Sequence, residues 1–107
     1  MYLPMNEAYE LLKSYIPVKS ALKARYNDGM LIASNKNSEI YYLNDMAGEI
    51  WKMIDGKFSL EDLSSKILAE YDADSEQVNA DMVNLIRSLQ WKKLIRLREG
   101  RNNHEEI

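Results

Sequence analysis

The side chains that most often carry chemistry are scarce in this chain of 107 residues. It has no cysteine and one histidine, His104, which stands in a polar tail. That excludes disulfides, thiolate catalysis and cysteine-ligated metal within the chain, and leaves a serine–histidine pair or a histidine-bearing zinc site almost nothing to build on. The carboxylates Glu61, Asp62, Asp72, Asp74, Glu76 and Asp81 fall at expected helix starts or on polar faces, where capping and dipole complementation account for most of them. The four glycines form no phosphate loop. The sequence therefore assigns no catalytic residue, no metal and no cofactor, and it does not point to an enzyme. What it offers instead is backbone chemistry. Ile40-Tyr41-Tyr42-Leu43 is a short run of β-prone residues that leads straight into a helix. If it forms the outer strand of a small sheet, its free N–H and C=O groups can accept a peptide as an added strand. Protected edges carry proline or inward charges, whereas this one carries Ile40, Tyr41 and Tyr42. Two alternatives stay open: that helices cover this edge, or that residues 94–97 pair with it.

The elements that must position such an edge follow from periodicity and caps. Asn6 can cap a first helix over residues 7–15, with Ala8, Leu11, Leu12 and Tyr15 on one face and Pro17 ending it. That helix could dock on the core, pair two copies, or fray. Residues 18–26, 30–34 and 39–43 read as a three-stranded antiparallel meander, turned at Asn27-Asp28-Gly29 and at residues 35–38, although Ala21, Leu22, Lys23 and Ala24 would also suit a helix. Three helices follow. Asn44 or Asp45 caps the first and Gly56 stops it; its stripe is Met46, Ala47, Ile50, Trp51 and Ile54. Ser59 caps the second, with Asp62 at the capping-box position, and Leu60, Leu63, Ile67, Leu68 and Tyr71 form its face. Asp74 caps the third, with Gln77 at the box position and a stripe of Val78, Met82, Leu85, Ile86 and Leu89. Residues 92–97 suggest a last short strand or wing. Trp51 is expected in the core, and Trp91 either seals the base of the core or meets a partner. The fold class that results is α+β and winged helix-turn-helix-like: a three-stranded antiparallel sheet, then three helices, with an extra N-terminal helix.

Length and composition bound the partners. The chain is one domain with an ordinary apolar fraction of 46%, so wholesale disorder is not expected. Its net charge of −3 argues against a dedicated nucleic-acid binder. Within the third helix, Glu76 and Asp81 would repel phosphates and Arg87 is the one arginine, although Lys92, Lys93, Arg96, Arg98 and Arg101 form a local basic cluster. No apolar run approaches the roughly 20 residues needed to span a bilayer. The start, Met1-Tyr2-Leu3-Pro4-Met5-Asn6, lacks the basic and apolar regions of a secretion signal, so the expected location is the cytoplasm.

The run Tyr42-Leu43-Asn44-x-x-Ala47-x-x-Ile50-Trp51-x-x-x-Asp55-Gly56 resembles the PqqD-like family. So do Leu60-x-x-Leu63-x-x-x-Ile67, Tyr71-Asp72, Val78-x-x-Asp81-Met82 and Leu85-x-x-x-Leu89. This is a family of small peptide chaperones, generalised as the RiPP recognition element, and the likeness covers about residues 17–97. The resemblance implies a three-stranded sheet followed by three helices. It also implies binding of the leader segment of a ribosomally made precursor peptide, added beside the third strand with side chains entering a groove against the third helix. Members present the peptide to a modifying enzyme, often a radical-SAM protein. Carried over, the docking edge is Ile40, Tyr41, Tyr42 and Leu43, and the helix wall is drawn from Asp81, Met82, Val83, Leu85 and Ile86. Val83 and Ile86 lie on one flank of the apolar stripe, which suggests a groove rather than the central core, and the flexible Met82 suits varied apolar anchors.

Two departures stand out. The family commonly has glycine shortly before its last apolar pair, where this chain has Lys93 before Leu94-Ile95, so a different last turn is expected. The N-terminal helix is not part of the family's minimal core. The organisation expected is an amphipathic helical extension over 1–16, a PqqD-like peptide-binding domain over 17–98, and a disordered polar tail over 99–107. A peptide-binding module with no catalytic role is thus the first functional expectation. A winged-helix DNA-binding regulator and a homodimer paired through the same strand edge are the alternatives.

Overall fold

The computed structural model describes residues 5–100; residues 1–4 and the polar tail from 101 onwards, with His104, lie outside it. The order is α1 (Met5–Leu12), β1 (Ile16–Lys19), β2 (Lys23–Asn27), β3 (Met30–Ser34), β4 (Ile40–Leu43), α2 (Asp45–Met53), α3 (Leu60–Glu70), α4 (Ser75–Trp91) and β5 (Ile95–Arg98). Strands β2, β3 and β4 form an antiparallel sheet in that order, and β1 and β5 form a separate antiparallel ribbon. This is the α+β, winged helix-turn-helix-like arrangement expected.

The first expected strand is the main correction. Residues 18–26 are not one strand but parts of two, because the extended chain changes partner near Ala21. Ser20 N–H donates to the Leu94 carbonyl at 2.9 Å, and Leu22 N–H donates to the Ser34 carbonyl at 2.8 Å. One end of the segment therefore belongs to the ribbon and the other to the sheet. The closing strand at residues 95–98 pairs with β1, from Ile16 opposite Arg98 to Lys19 opposite Ile95, and not with β4.

Local chemistry explains the turns and caps. Between β2 and β3, Asp28 and Gly29 have φ of 54° and 80°, the two positive angles of a type I′ hairpin turn. Asn44 caps α2 by accepting from Ala47 N–H at 2.9 Å. Ser59 and Asp62 form a complete capping box on α3, each side chain accepting from the other's backbone N–H. Asp74 caps α4, but Gln77 does not complete a box; its Nε2 donates forward to Asp81 Oδ1 at 2.9 Å. Helix α1 begins at Met5, ahead of Asn6, the expected cap, and ends well before Pro17, which lies in β1.

The last turn also differs from expectation. Leu94 N–H donates to the Leu89 carbonyl and Lys93 N–H to the Gln90 carbonyl, both at 3.0 Å. This is a Schellman closure of α4, and it requires a left-handed residue at Lys93, whose φ is 62°. The turn a glycine would favour is kept, with lysine held in it at a backbone cost of about 1 kcal/mol.

The core lies between the inner face of the β2–β3–β4 sheet and the helices. Leu31, Ala33 and Leu43 meet Ile50, Trp51, Leu60, Leu63, Val83, Ile86 and Leu89 there. Helix α1 packs against α4 and adds Ala8 and Tyr9 to the same cluster, so of the roles open to it docking is the one observed. Trp51 is buried, whereas Trp91 is 86% exposed and does not seal the core.

Candidate functional site

The site is built around the free margin of β4. Its register against β3 runs Leu31 opposite Leu43, Ile32 opposite Tyr42, Ala33 opposite Tyr41 and Ser34 opposite Ile40. Asn35 N–H donates to the Glu39 carbonyl at 3.0 Å and sets the phase of the ladder. Bonded and unbonded pairs alternate in antiparallel sheets, so Tyr41 and Leu43 spend their backbone groups on β3. Ile40 and Tyr42 turn theirs outward. Their side chains are 59% and 67% exposed, while Leu43 is buried and Tyr41 half-buried. No strand among the described residues pairs with this margin.

Beside the margin lies an open groove of about 390 Å³. Tyr42, Leu43 and Asn44 form one wall; Val78, Asp81, Met82, Leu85 and Ser88 of α4, with Lys92 capping its C-terminal end, form the other; Met46, Ala47, Ile50 and Ile67 complete the lining. The α4 positions recur at the three- and four-residue spacing of one helix face. The helices therefore line a channel beside the edge rather than closing it.

Asn35 fixes how the two walls meet. It is fully buried, and its Oδ1 accepts from Asn37 N–H and Glu39 N–H at 2.9 and 3.1 Å. Its Nδ2 donates to Glu39 Oε1 at 2.7 Å and to the Lys92 carbonyl at 2.8 Å. One satisfied amide thus shapes the β3–β4 turn and ties the start of β4 to the C-terminal end of α4. At that end, Lys92 Nζ donates to Ser88 Oγ at 2.7 Å and stands 5.5 Å from the centre of the Tyr41 ring.

Of the residues expected from the sequence, Tyr42, Leu43, Asp81, Met82 and Leu85 are brought together along the groove. Ile40 and Tyr41 lie on the same strand without lining it. Val83 and Ile86 are corrections: both have 0% exposure and belong to the core. The α4 flank that carries them is not free, because α1 packs on this helix. Sequence reasoning missed Asn44, Met46, Ala47, Ile50, Ile67, Val78, Ser88 and Lys92 as groove residues. The spacing of 81, 85, 88 and 92 was a readable signal for two of them; the contributions of α2 and α3 depend on the tertiary fold.

The groups with shifted acidity lie elsewhere. Burial pushes Tyr26 up and Lys19 down, and the backbone N–H groups of Lys57 and Phe58 hold Asp55 below the usual carboxylate range. Among the described residues, no group of three or more acidic or histidine side chains could hold a metal ion, and no helix is long and apolar enough to cross a membrane.

Comparison with known proteins bears on this geometry. The sequence profile described as Coenzyme PQQ synthesis protein D (PqqD) matches residues 29–95. The PqqA binding protein of Xanthomonas euvesicatoria pv. vesicatoria (strain 85-10) is 38% identical over 55 residues, 51% of this chain and 60% of that protein. Its counterpart in Xanthomonas oryzae pv. oryzae (strain PXO99A) is 36% identical over the same shares. The chain thus matches about 60% of the length of these curated relatives. A solved structure of TbiB1 in complex with the TbiA(beta) leader peptide has the same fold, with a TM-score of 0.65, 20% identity, and coverage of 75% of this chain and 93% of that one. The profile match takes in β3, β4, all three helices behind them and the start of β5: this chain belongs to the PqqD family.

Proposed function

We propose that this chain is a chaperone with no catalytic role, which binds the leader segment of a ribosomally synthesised precursor peptide and presents it to a modifying enzyme. The observation that carries the reading is the unpaired outer margin of β4 standing beside an apolar groove. A leader strand takes ladder bonds from the backbone of Ile40 and Tyr42, and its alternate side chains enter the groove against Met82 and Leu85. Backbone pairing supplies affinity regardless of sequence, and the groove supplies selection. Family membership supports this reading, as do relatives named for binding PqqA. The receiving enzyme, of radical-SAM or another class, would meet the complex from outside the groove. A DNA-binding role has less to work with, because α4 has one flank in the core with α1 and another along the groove.

The test is an NMR titration of the labelled protein with leader peptides encoded near its gene. Shifts concentrated on residues 40–43 and on the groove face of α4 are the expected result. A spectrum unmoved by every such peptide overturns the reading.

A further inference from the structure

The groove is not electrically uniform, and its two charged side chains stand at opposite ends. Lys92 lies at the end where Asn35 ties α4 to the start of β4. Asp81 lies toward the other end, held by Gln77 Nε2. Along the helix the two are separated by about 16 Å, the span of roughly five residues of extended chain. Between them the lining is apolar, chiefly Met82, Leu85 and Ala47.

Lys92 is placed to be read. It is half-buried, and a hydroxyl and the Tyr41 ring hold it in position without neutralising its charge. The ion pairs among the described residues, Lys13 with Glu10 and Lys52 with Glu49, leave it without a carboxylate partner. Glu39, on the adjoining turn, has its carboxylate engaged by Asn35 Nδ2. A cation partly withdrawn from water and unpaired favours an incoming anion more than an exposed lysine does.

We propose that the groove selects its peptide by charge order as well as by apolar pattern. The peptide carries an aspartate or glutamate beside Lys92, alternating apolar side chains along the groove, and no acidic side chain beside Asp81. Lys92 is the residue that determines this specificity, and Asp81 sets the polarity by repelling the same group at the far end. The inference rests on the strand-addition reading above, and it names the class of peptide that site takes.

The test is selection from a random displayed peptide library against the wild-type chain, Lys92→Gln and Lys92→Glu, each checked for native unfolding behaviour. Wild type should enrich alternating apolar peptides with an acidic residue at one end. Lys92→Glu should enrich a basic residue at that position with the apolar pattern unchanged. A synthetic peptide from the wild-type pool should lose roughly fivefold in affinity when its acid is replaced by the matching amide, and lose nothing against Lys92→Gln. This last comparison keeps the test decisive if Lys92→Glu folds poorly. Alternating apolar peptides with no charge bias, or with the same bias on all three proteins, overturn the charge proposal and leave strand addition standing. Absence of alternating apolar peptides from the wild-type pool overturns both.

Discussion

Among the strands that stand at a sheet margin, β1 and β4 carry outward-facing residues that differ in kind. In the β1–β5 ribbon the bond from Ser20 N–H to the Leu94 carbonyl sets the ladder phase, so Val18 pairs inward with Arg96 while Pro17 and Lys19 face away. Pro17 has no N–H to offer there, and Lys19 brings a charge. The chain just before β1 is also engaged: the Tyr15 and Lys13 carbonyls accept from the N–H groups of Leu60 and Glu61 at 3.0 Å. On the partner strand, Arg98 Nη2 donates to the Gly56 carbonyl at 2.9 Å. On β4 the equivalent outward positions are Ile40 and Tyr42, with neither proline nor charge. The β1 margin is therefore blunted and the β4 margin open, and the β4 margin is the one that stands beside the groove. The difference marks β4 as a place kept available for pairing, where β1 is closed against it.

Changes that exchange these characters should have separable effects. The largest is expected from Arg96→Pro, which removes a ladder N–H from the protected ribbon; it should cost about 3 kcal/mol of stability, seen in denaturant unfolding. Asn35→Ala should follow at about 2–3 kcal/mol, because it strands a buried carbonyl and two N–H groups. It should also loosen the tie between β4 and α4, visible as faster amide exchange around Glu39. Tyr42→Pro gives β4 the blunting that Pro17 gives β1. It should leave stability within about 1 kcal/mol, since the lost N–H bonds to no strand, yet weaken leader-peptide binding by roughly tenfold or more by calorimetry. Unchanged affinity in that folded variant would remove β4 from the binding mechanism.

Smaller effects refine the picture. Lys93→Gly should raise stability by about 1 kcal/mol by relieving the left-handed lysine at the end of α4, with no change at β4. Asp55 holds the turn whose Gly56 carbonyl receives Arg98. The backbone N–H groups it accepts from hold its folded pKa below the ordinary aspartate value. The stabilisation is therefore present above about pH 4 and is lost as pH falls through the lower folded value. Acid titration should loosen the ribbon more steeply in wild type than in Asp55→Asn, read from the amide signals of β5.

Where a feature depended on residues close together in the chain, it was legible in advance. The type I′ turn at Asp28-Gly29, the Asn44 cap, the Ser59–Asp62 box and the helical stripes each rest on contacts within a few positions. The open margin of β4 was legible too, because a short β-prone run passing directly into a capped helix has few ways to be covered. Tyr42 and Leu43 were found by that route, whereas Asp81, Met82 and Leu85 came from the resemblance to the PqqD-like family.

The remainder was decided by partners distant in sequence. Nothing local in residues 18–26 reports that Ser20 meets Leu94 while Leu22 meets Ser34, so one apparent strand became two. Nothing in the stripe of α4 reports that Val83 and Ile86 share a buried cluster with α1 residues, and both moved from expected groove to core. Lys93 kept a left-handed turn against its own preference, because the Schellman closure of α4 fixes the backbone there. The amino-acid sequence by itself determined the elements, their caps and the availability of an edge, since these follow from near-neighbour backbone chemistry. Only the tertiary structure decided which faces were used up in packing and which were left to form a groove, since burial depends on long-range contacts.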